Sequence, residues 1–395
     1  MLVVGSVLLL LGGRLLGMVE LYMLAAAALT LVAAAVAQVR LARFDVTARR
    51  ELRPARVHAG GASRVDLGVR NAGLRRSPVL AARDPFDGGR RAASFLIAPL
   101  APGETARAAY RLPTEQRGIF ELGPLELRRG DPFGLAESTT EAAPATALTV
   151  FPRVDQIAAP DFTGGRDPHA GTDHPTALAA AGEDFSGLRE YEQGDDLRRV
   201  HWKATARLDQ LMIRQDEMPW QGRATVVLDL RQAIHSEASM EVAVSAAASI
   251  VSACARRRSL LRLVTTAVDS GFGAGTAHLE AILEHLAVAG AEPDERLSPL
   301  LAPLRREGNG GALAVITTSA TAGPDLDAVA RLQARFGGVT LVLLERSLVD
   351  PRAAGAEAPG PVPPLACVVR VTAGRPFADA WAERRRSAPV GGRWR

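Results

Sequence analysis

Long apolar runs mark the start of the chain, and shorter apolar runs recur near its end. Residues 21–39 contain no charged residue, and a helix of this length spans about 28 Å, close to the hydrocarbon thickness of a bilayer. Residues 2–19 are also apolar, but Arg14 interrupts them. We therefore predict a transmembrane helical hairpin over residues 1–40, with its connection near Gly17.

Arginines are frequent directly after the second apolar run. Basic residues are enriched in the cytoplasmic segments that flank a membrane span, so we expect an anchor in the plasma membrane with the C-terminal domains in the cytoplasm. A secretory signal peptide is the competing interpretation; it fits poorly, because the apolar stretch lacks a basic leader and is interrupted. The arginines are Arg40, Arg43, Arg49, Arg50, Arg53 and Arg56, opposed by Asp45 and Glu51.

Between residues 46 and 150, apolar and polar positions alternate in short runs separated by glycine, proline and asparagine. Period-two alternation with turn residues at this spacing predicts a small antiparallel β-sandwich. Residues 131–134, Asp-Pro-Phe-Gly, predict a turn, and we expect Phe133 to fill the end of the sandwich.

Apolar strands alternate with helical segments over residues 223–386. Near-continuous apolar strands between helices predict an α/β domain with a parallel sheet covered on both faces. The sequence predicts strands at 224–230, 260–267, 312–318, 339–345 and 367–372, and helices at 240–257, 276–289, 325–336 and 377–386. Residues 151–182, rich in Gly, Pro, Thr and Ala, predict a linker, and residues 387–395 a basic tail.

Composition narrows the possible functions. A hydrophobic content of 47% excludes a wholly disordered chain, and a mean hydropathy near zero excludes a polytopic transporter. The net charge of +4 is small for 395 residues, so we expect no nucleic-acid partner. Two cysteines supply neither a disulfide framework nor a zinc ligand set. Lys203 is the one lysine among 47 basic residues.

The densest polar segment covers residues 183–217. It contains Gly-Glu-Asp-Phe-Ser-Gly-Leu-Arg-Glu-Tyr at 182–191 and Gly-Asp-Asp-Leu-Arg-Arg-Val-His-Trp-Lys at 194–203. Together with Arg-Gly-Ile-Phe at 117–120 and Asp-Pro-Phe-Gly-Leu at 131–135, this segment resembles the bacterial family called domain of unknown function 58.

The resemblance implies an architecture and a setting. It implies an N-terminal hairpin, a β domain and a divergent von Willebrand factor A-like (Rossmann-type) domain. The implied partners are a MoxR-type AAA ATPase and a transglutaminase-like membrane protein. The family has no established activity, so the resemblance supplies no mechanism.

The polar segment has three possible roles: a salt-bridged clasp between domains, a surface for a partner or ligand, or a catalytic site. Its arginines can form forked hydrogen bonds with carboxylates, and Asp195-Asp196 predicts the N-cap of a helix over residues 197–207. The candidate residues are Glu183, Arg189, Tyr191, Asp195, Asp196, Arg198, His201, Trp202, Lys203 and Arg207.

Hydrolytic chemistry has little support in the sequence. Ser186, His201 and Asp195 are the residue types of a triad, but the Gly-x-Ser-x-Gly elbow is missing. Cys254 lies in an apolar helical segment, where a packed small residue is expected. Gly271-x-Gly273-x-Gly275 lacks the remaining positions of a dinucleotide fingerprint and predicts a flexible strand-to-helix loop.

A divalent metal is also not expected. Domains of the von Willebrand factor A type hold magnesium with Asp-x-Ser-x-Ser after the first strand, whereas this chain has Arg231 and Ala233 in place of both serines. We expect Asp229 to pair with Arg231 or to cap the next helix, and we expect no metal and no cofactor. A later strand ends in Thr317-Thr318-Ser319 and lacks the usual aspartate.

The sequence therefore favours a membrane-anchored, non-enzymatic interaction scaffold or adaptor. The alternative is an enzyme or ligand sensor that uses Asp195, His201 and Lys203.

Overall fold

The computed structural model describes residues 2–41, 45–160, 184–191, 200–208, 210–217, 222–293, 296–307, 310–345, 348, 365 and 367–387, with backbone alone for 41, 184–190, 213–217, 307 and 385–387. It divides into two units. The N-terminal unit is Met1–Arg153 with Glu284–Val288, and the α/β unit is Val154–Leu283 with Ala289–Arg395.

Two apolar helices begin the N-terminal unit and form the predicted hairpin. Helix α1 spans Leu2–Leu16 and α2 spans Val19–Leu41. Gly17 connects them with a φ of +69°, a conformation that favours glycine. The helices approach closely at Gly13, which has no side chain. A Cβ atom there would lie only 3.1 Å from the ring of Tyr22.

The segment Val19–Arg40 is long and apolar enough to cross a membrane, and only 11% of its apolar window is buried. The helix Glu237–Arg256 meets the same length and composition test, but 72% of its window is buried. That helix therefore belongs to the core of the α/β unit. The N-terminal hairpin is the part of the described chain that is suited to anchor the protein in a membrane.

Ten strands form two packed sheets in the N-terminal unit. They are β1 Val46–Arg53, β2 Arg56–His58, β3 Ser63–Asn71, β4 Leu80–Phe86, β5 Arg91–Ile97, β6 Thr105–Leu112, β7 Gly118–Leu122, β8 Leu125–Gly130, β9 Glu137–Ala143 and β10 Thr146–Phe151. The orders are β1-β3-β6 and β2-β10-β7-β4-β8-β9, with β5 on β4. Leu67 from one sheet packs in the same core as Leu122 and Leu148 from the other. The predicted two-sheet domain is confirmed, except that β2 and β10 pair in parallel.

Phe133 does not fill the end of the sandwich, contrary to the prediction, because its side chain is 68% exposed. The turn is held by Asp131, whose carboxylate accepts the backbone N–H of Phe133 at 2.8 Å and those of Leu135 and Ala136 at 2.6 Å. Desolvation acts to raise the pKa of Asp131, but the hydrogen bonds together outweigh it and lower the pKa. The turn stands without support from the phenylalanine, which points outward.

A buried ion pair links the two sheets. Arg50 on β1 donates from Nη1 to Asp84 on β4 at 2.6 Å, and the side chains are 2% and 0% exposed. Tyr110 on β6 donates its hydroxyl to the other oxygen of Asp84 at 2.6 Å. Burial, followed by the contact with Asp84, raises the pKa of Tyr110. Gly123 leaves room for the guanidinium, because a Cβ there would lie 2.5 Å from Nη1.

These contacts bear on the arginines after α2, which the sequence alone presents as a basic segment beside a membrane span. Arg50 serves the sandwich core, and Arg49 and Arg53 both pair with Glu51 on strand β1. Four of the six arginines therefore belong to folded strands and not to a free basic segment, three of them on β1 and Arg56 on β2.

A five-stranded parallel sheet forms the centre of the α/β unit, as predicted. The remaining elements are β11 Asp184–Glu190, α3 Trp202–Leu208, β12 Met212–Glu217, β13 Arg223–Leu228, α4 Glu237–Arg256, β14 Leu260–Val264, α5 Thr276–Val288, α6 Ser298–Glu307, β15 Ala312–Thr318, α7 Gly323–Ala330, β16 Gly338–Leu344, β17 Cys367–Val371 and α8 Phe377–Ser387. The strand order is β14-β13-β15-β16-β17, all parallel. Every residue of β15 is buried, so both faces of the sheet are covered.

Three local predictions need correction. Strand β14 ends before the predicted residue 267 because the chain turns back, and Gly273 exchanges two backbone hydrogen bonds with Leu261. The glycine loop is therefore paired along the sheet edge and is not a free loop. Helix α7 ends at Ala330 and continues as a 3-10 turn, Arg331–Ala334. Helix α6 was not predicted, because the prolines in and before it argue against a helix.

The first part of the predicted linker is fixed to the α/β unit. The backbone N–H of Asp155 donates to Ser249 on α4 at 2.9 Å. Arg256 at the end of α4 donates to the carbonyl of Ile157 at 2.9 Å, and the indole N–H of Trp381 on α8 donates to that of Ala158 at 2.7 Å. We call residues 154–160 the strap.

Candidate functional site

The polar segment is built around an antiparallel strand pair. Strand β11 pairs with β12, and α3 lies between them in the chain. The backbone N–H of Tyr191 donates to the carbonyl of Leu211, and that of His201 to the carbonyl of Met212, both at 2.8 Å. Met212 in turn donates its N–H to Thr205 on α3 at 3.0 Å. These bonds tie the short helix to the strand pair.

Helix α3 begins at Trp202, so the predicted helix over residues 197–207 is wrong at its start. The N–H of His201 is used by Met212, and its carbonyl accepts from Ala204 and Thr205 at 3.0 Å. Its Nδ1 also accepts from Ala204 at 3.2 Å, which makes His201 the capping residue. Asp195 and Asp196, the predicted caps, lie outside the described residues.

Helix α3 buries Ala204 and exposes its large side chains. Ala204 is buried, whereas Trp202 is 70% exposed. Lys203 and Arg207, four residues apart and therefore on one face, are exposed as well. Leu208 at the end of the helix adds further exposed apolar surface. The described part of the segment thus exposes an aromatic side chain and two cations on one short helix.

The other candidate residues of this segment are less fully defined. Tyr191 and His201 are half-buried, and Arg189 is described only as a backbone position on β11. Glu183, Asp195, Asp196 and Arg198 lie outside the described residues. The salt-bridged clasp therefore stays a prediction.

A second polar cluster lies at the carboxyl edge of the parallel sheet. Arg231 follows β13 and is clamped by Asp229, with Nε to Oδ1 at 2.9 Å and Nη2 to Oδ2 at 2.7 Å. Asp325 on α7 accepts from Nη1 of Arg231 at 3.0 Å. Strands β13 and β15 are neighbours whose connections lead to opposite sides, which is the position where open α/β sheets bind ligands. The predicted pairing of Asp229 with Arg231 is confirmed.

The cluster is buried and its polar atoms are paired with one another. Thr317 at the end of β15 donates to Asp229 at 2.6 Å, and Thr321 lies 3.2 Å from Nη2 of Arg231. Asp325 also accepts the backbone N–H groups of Leu297 and Ser298 at 3.1 and 3.2 Å. We call Asp229, Arg231, Thr317, Thr321 and Asp325 the guanidinium cluster.

Electrostatics keep Arg231 charged in this buried position. Burial acts against the charged form, but the hydrogen bonds and charges of Asp229 and Asp325 outweigh it and raise the pKa of Arg231. His235 donates from Nε2 to the carbonyl of Asp229 at 2.9 Å, and burial lowers its pKa. The neighbouring histidine is therefore neutral near pH 7.

The guanidinium of Arg231 lies between the carboxylates of Asp229 and Asp325, in the place that a metal cation would need. Among the residues that the structure describes, no group of three or more His, Cys, Asp or Glu side chains could hold a metal ion. The sequence did not reveal Thr317, Thr321 or Asp325 as members of the cluster. The local signal for them is their place at or after the end of a buried strand, where ligands bind in this fold class.

The structure describes the two possible nucleophiles named from the sequence, Ser186 and Cys254, to different extents. Cys254 is completely buried in α4, and burial raises its pKa to about 12, so it is a packed thiol as expected. Ser186 is a backbone position on β11.

A comparison with known protein families matches a segment of the α/β unit. A family model described as "Protein of unknown function DUF58" matches residues 187–354. The chain carries a DUF58 region. The DUF58 region starts inside β11 and includes the polar segment from that point, β13 to β16 and the guanidinium cluster. The resemblance noted from the sequence motifs is confirmed.

Individual relatives extend the comparison only a little. The uncharacterized protein YeaD of Bacillus subtilis is 27% identical over 201 residues, which cover 48% of this chain and 47% of YeaD. The chain thus spans about half the length of this curated relative.

The matched solved structures cover a smaller share of the chain than YeaD does. The CARDB domain of the PF1109 protein from Pyrococcus furiosus matches 27% of this chain and 93% of its own, with 16% identity and a TM-score of 0.22. A β-glucosidase from Listeria innocua matches 27% of this chain and 16% of its own, with 12% identity and a TM-score of 0.19. Scores this low support no statement about the DUF58 region or its function.

Proposed function

We propose that this protein is a membrane-anchored interaction scaffold and not an enzyme, and that its partner is a MoxR-type AAA ATPase. The observation that carries the proposal is the exposed surface of α3, which carries Trp202, Lys203 and Arg207. Tryptophan and arginine side chains are enriched in protein interfaces, and Trp202 and Arg207 are of these two types. The ATPase, and a transglutaminase-like membrane protein as a second partner, come from the family resemblance.

The guanidinium cluster supports a binding role over catalysis. We propose that the α/β unit is a von Willebrand factor A-like domain in which Arg231 replaces the metal. Asp229 at the end of β13 and the five parallel strands support this assignment. A cation that already has two carboxylate partners is unsuited to activate a substrate, whereas it fixes the loops at the sheet edge.

Removing the exposed indole should weaken the complex with the ATPase. Truncation of an interface tryptophan typically costs about 2 kcal/mol or more, so Trp202→Ala in the full chain should raise the Kd about 30-fold. Biolayer interferometry with the protein in nanodiscs and the purified MoxR-type ATPase measures this. Leu96→Ala is the matched control, because Leu96 is a large exposed side chain on β5 of the N-terminal unit. An unchanged Kd for Trp202→Ala would remove α3 from the interface.

Lys203→Arg separates the scaffold from the alternative, an enzyme or ligand sensor built on Asp195, His201 and Lys203. The accessibility of Lys203 beside the capping histidine is what favours this alternative. A scaffold tolerates the exchange of one exposed cation for another. A lysine that acts as a base or makes a tight ligand contact does not, so a stable variant that loses function in cells would favour the alternative.

We also propose that both units lie in the cytoplasm. Arg40 at the end of α2 is exposed and is consistent with this orientation. A fluorescent protein that folds only in the cytoplasm should be bright when it is fused after Arg395, and alkaline phosphatase at the same position should be inactive. Phosphatase activity would reverse the orientation.

A further inference from the structure

The strand register brings several loops to the end of the β domain from which α2 emerges. Helix α2 ends at Leu41, and β1 begins at Val46. The carbonyl of Asp45 accepts the backbone N–H groups of Ala72 and Gly73 at 2.9 and 3.1 Å. The β3–β4 loop, residues 72–79, therefore starts beside the entry of the chain into the sandwich.

The second sheet reaches the same end through its β8–β9 hairpin. Arg129 near the end of β8 donates from Nη2 to the carbonyl of Val39, in the last turn of α2. Helix α2 also contacts β9. The turn that carries Phe133 follows β8 directly, so it lies close to the end of the membrane helix.

These two loops expose apolar side chains next to arginines. Leu74 is 96% exposed, Val79 is 54% exposed, and Phe133 is exposed as described above. Arg75 and Arg76 follow Leu74 and are exposed as well. We call Leu74, Arg75, Arg76, Val79 and Phe133 the membrane-proximal patch.

Hydrogen bonds hold the patch in shape. The side-chain amide of Asn71 donates to the carbonyls of Arg75 at 2.8 Å and Leu100 at 2.9 Å. Ser77 accepts the N–H of Leu100 at 2.9 Å, and Asp131 fixes the turn of Phe133. The apolar side chains are thus held on fixed loops. Their exposure to water is unfavourable, and a bound partner would remove it.

We propose that the membrane-proximal patch lies on the surface of the bilayer that α2 crosses and binds anionic lipid headgroups. The inference rests on α2 as a membrane span and is independent of the ATPase. Leu74 and Phe133 enter the interface between headgroups and acyl chains, as large apolar residues do at membrane surfaces. Arg75 and Arg76 meet the lipid phosphates, with their aliphatic stems along the apolar surface.

Quenching by brominated lipids tests this position directly. The full chain is reconstituted in vesicles of phosphatidylglycerol and phosphatidylcholine with brominated acyl chains, and tryptophan is introduced by Phe133→Trp. The fluorescence of the new tryptophan is the signal that remains after the signal of the parent chain is subtracted. It should be about half or less of its value in vesicles without bromine. Brominated acyl chains quench only near contact, so the signal reports depth.

Ile119→Trp is the matched control at the other end of the sheet. Ile119 is an exposed apolar residue on β7, and the pairing of Phe86 with Leu122 places it beyond the far end of β4. The six steps along β4 from Leu80 to Phe86 separate the two ends by about 20 Å. The Ile119→Trp signal should be unaffected by bromination. Equal quenching of both tryptophans, or none of Phe133→Trp, would overturn the proposal.

Two further arms separate the lipid chemistry from the anchor. The combined change Arg75→Gln and Arg76→Gln should reduce the quenching of Phe133→Trp in anionic vesicles. If the combined change leaves the quenching in anionic vesicles unchanged, these arginines do not bind the headgroups. Extraction with alkaline carbonate checks the anchor: release of the chain would show that α2 is not a span, whereas retention without quenching refutes the patch alone.

Discussion

Arg231→Ala should destabilise the α/β unit by about 3–5 kcal/mol, because the change leaves Asp229 and Asp325 buried without their common cation. The threonine and backbone donors of the cluster stay in place but carry no positive charge. Denaturant unfolding of the detergent-solubilised chain measures the loss. Trp381 is buried in the same unit and supplies the fluorescence signal.

Two comparisons make the result specific to the guanidinium cluster. Arg375→Ala removes an exposed pair with Glu383 in the same unit and should cost about 1 kcal/mol or less. Adding Asp229→Asn to Arg231→Ala removes one uncompensated charge, so the double variant should lose less than the sum of the single changes. Equal stability of Arg231→Ala and Arg375→Ala would show that the cluster is not an important buried network.

Asp84→Ala should have an effect of similar size in the N-terminal unit, about 3–5 kcal/mol. The change leaves the buried guanidinium of Arg50 with only the Pro144 carbonyl and the Thr146 hydroxyl as acceptors, and Tyr110 loses its acceptor. All four tryptophans follow residue 200, so fluorescence does not report this unit. Hydrogen exchange of peptides from β1, β4 and β6, followed by mass spectrometry, measures the change.

Asp66→Ala provides the control for Asp84→Ala. Asp66 pairs with the exposed Arg64 on strand β3, and its loss should cost about 1 kcal/mol or less. Faster exchange throughout β1, β4 and β6 in Asp84→Ala alone would identify the buried pair as the link between the sheets. Parallel effects of the two substitutions would contradict this role.

The sequence predicted the parallel sheet well because its strands are buried on both faces. Such strands appear as apolar runs, and β15 was predicted at its observed bounds. The guanidinium cluster could be predicted only in part. Asp229 and Arg231 are two positions apart, but Asp325 is 94 residues from Arg231, and a single sequence carries no direct signal of such a contact.

Local rules failed where a nonlocal contact competed with them. The acidic pair at residues 195–196 has the pattern of an N-cap, yet the N–H of His201 pairs with Met212, and α3 starts one residue later. The Asp-Pro pair at residues 84–85 is typical of a turn, yet Asp84 lies buried within β4 because Arg50 neutralises it. In both cases the competing partner lies outside the local pattern, 11 positions from His201 and 34 positions from Asp84.

The strap has a practical consequence for dissecting the protein. The strap, which is the first segment of the α/β unit, bonds both to α4 and to α8, the last helix of the unit. A fragment that begins at the first strand of the sheet would expose the indole N–H of Trp381 and the end of α4, which the strap carbonyls cover. An expressible soluble version of this domain should therefore begin at Val154, ahead of the segment matched by the family model.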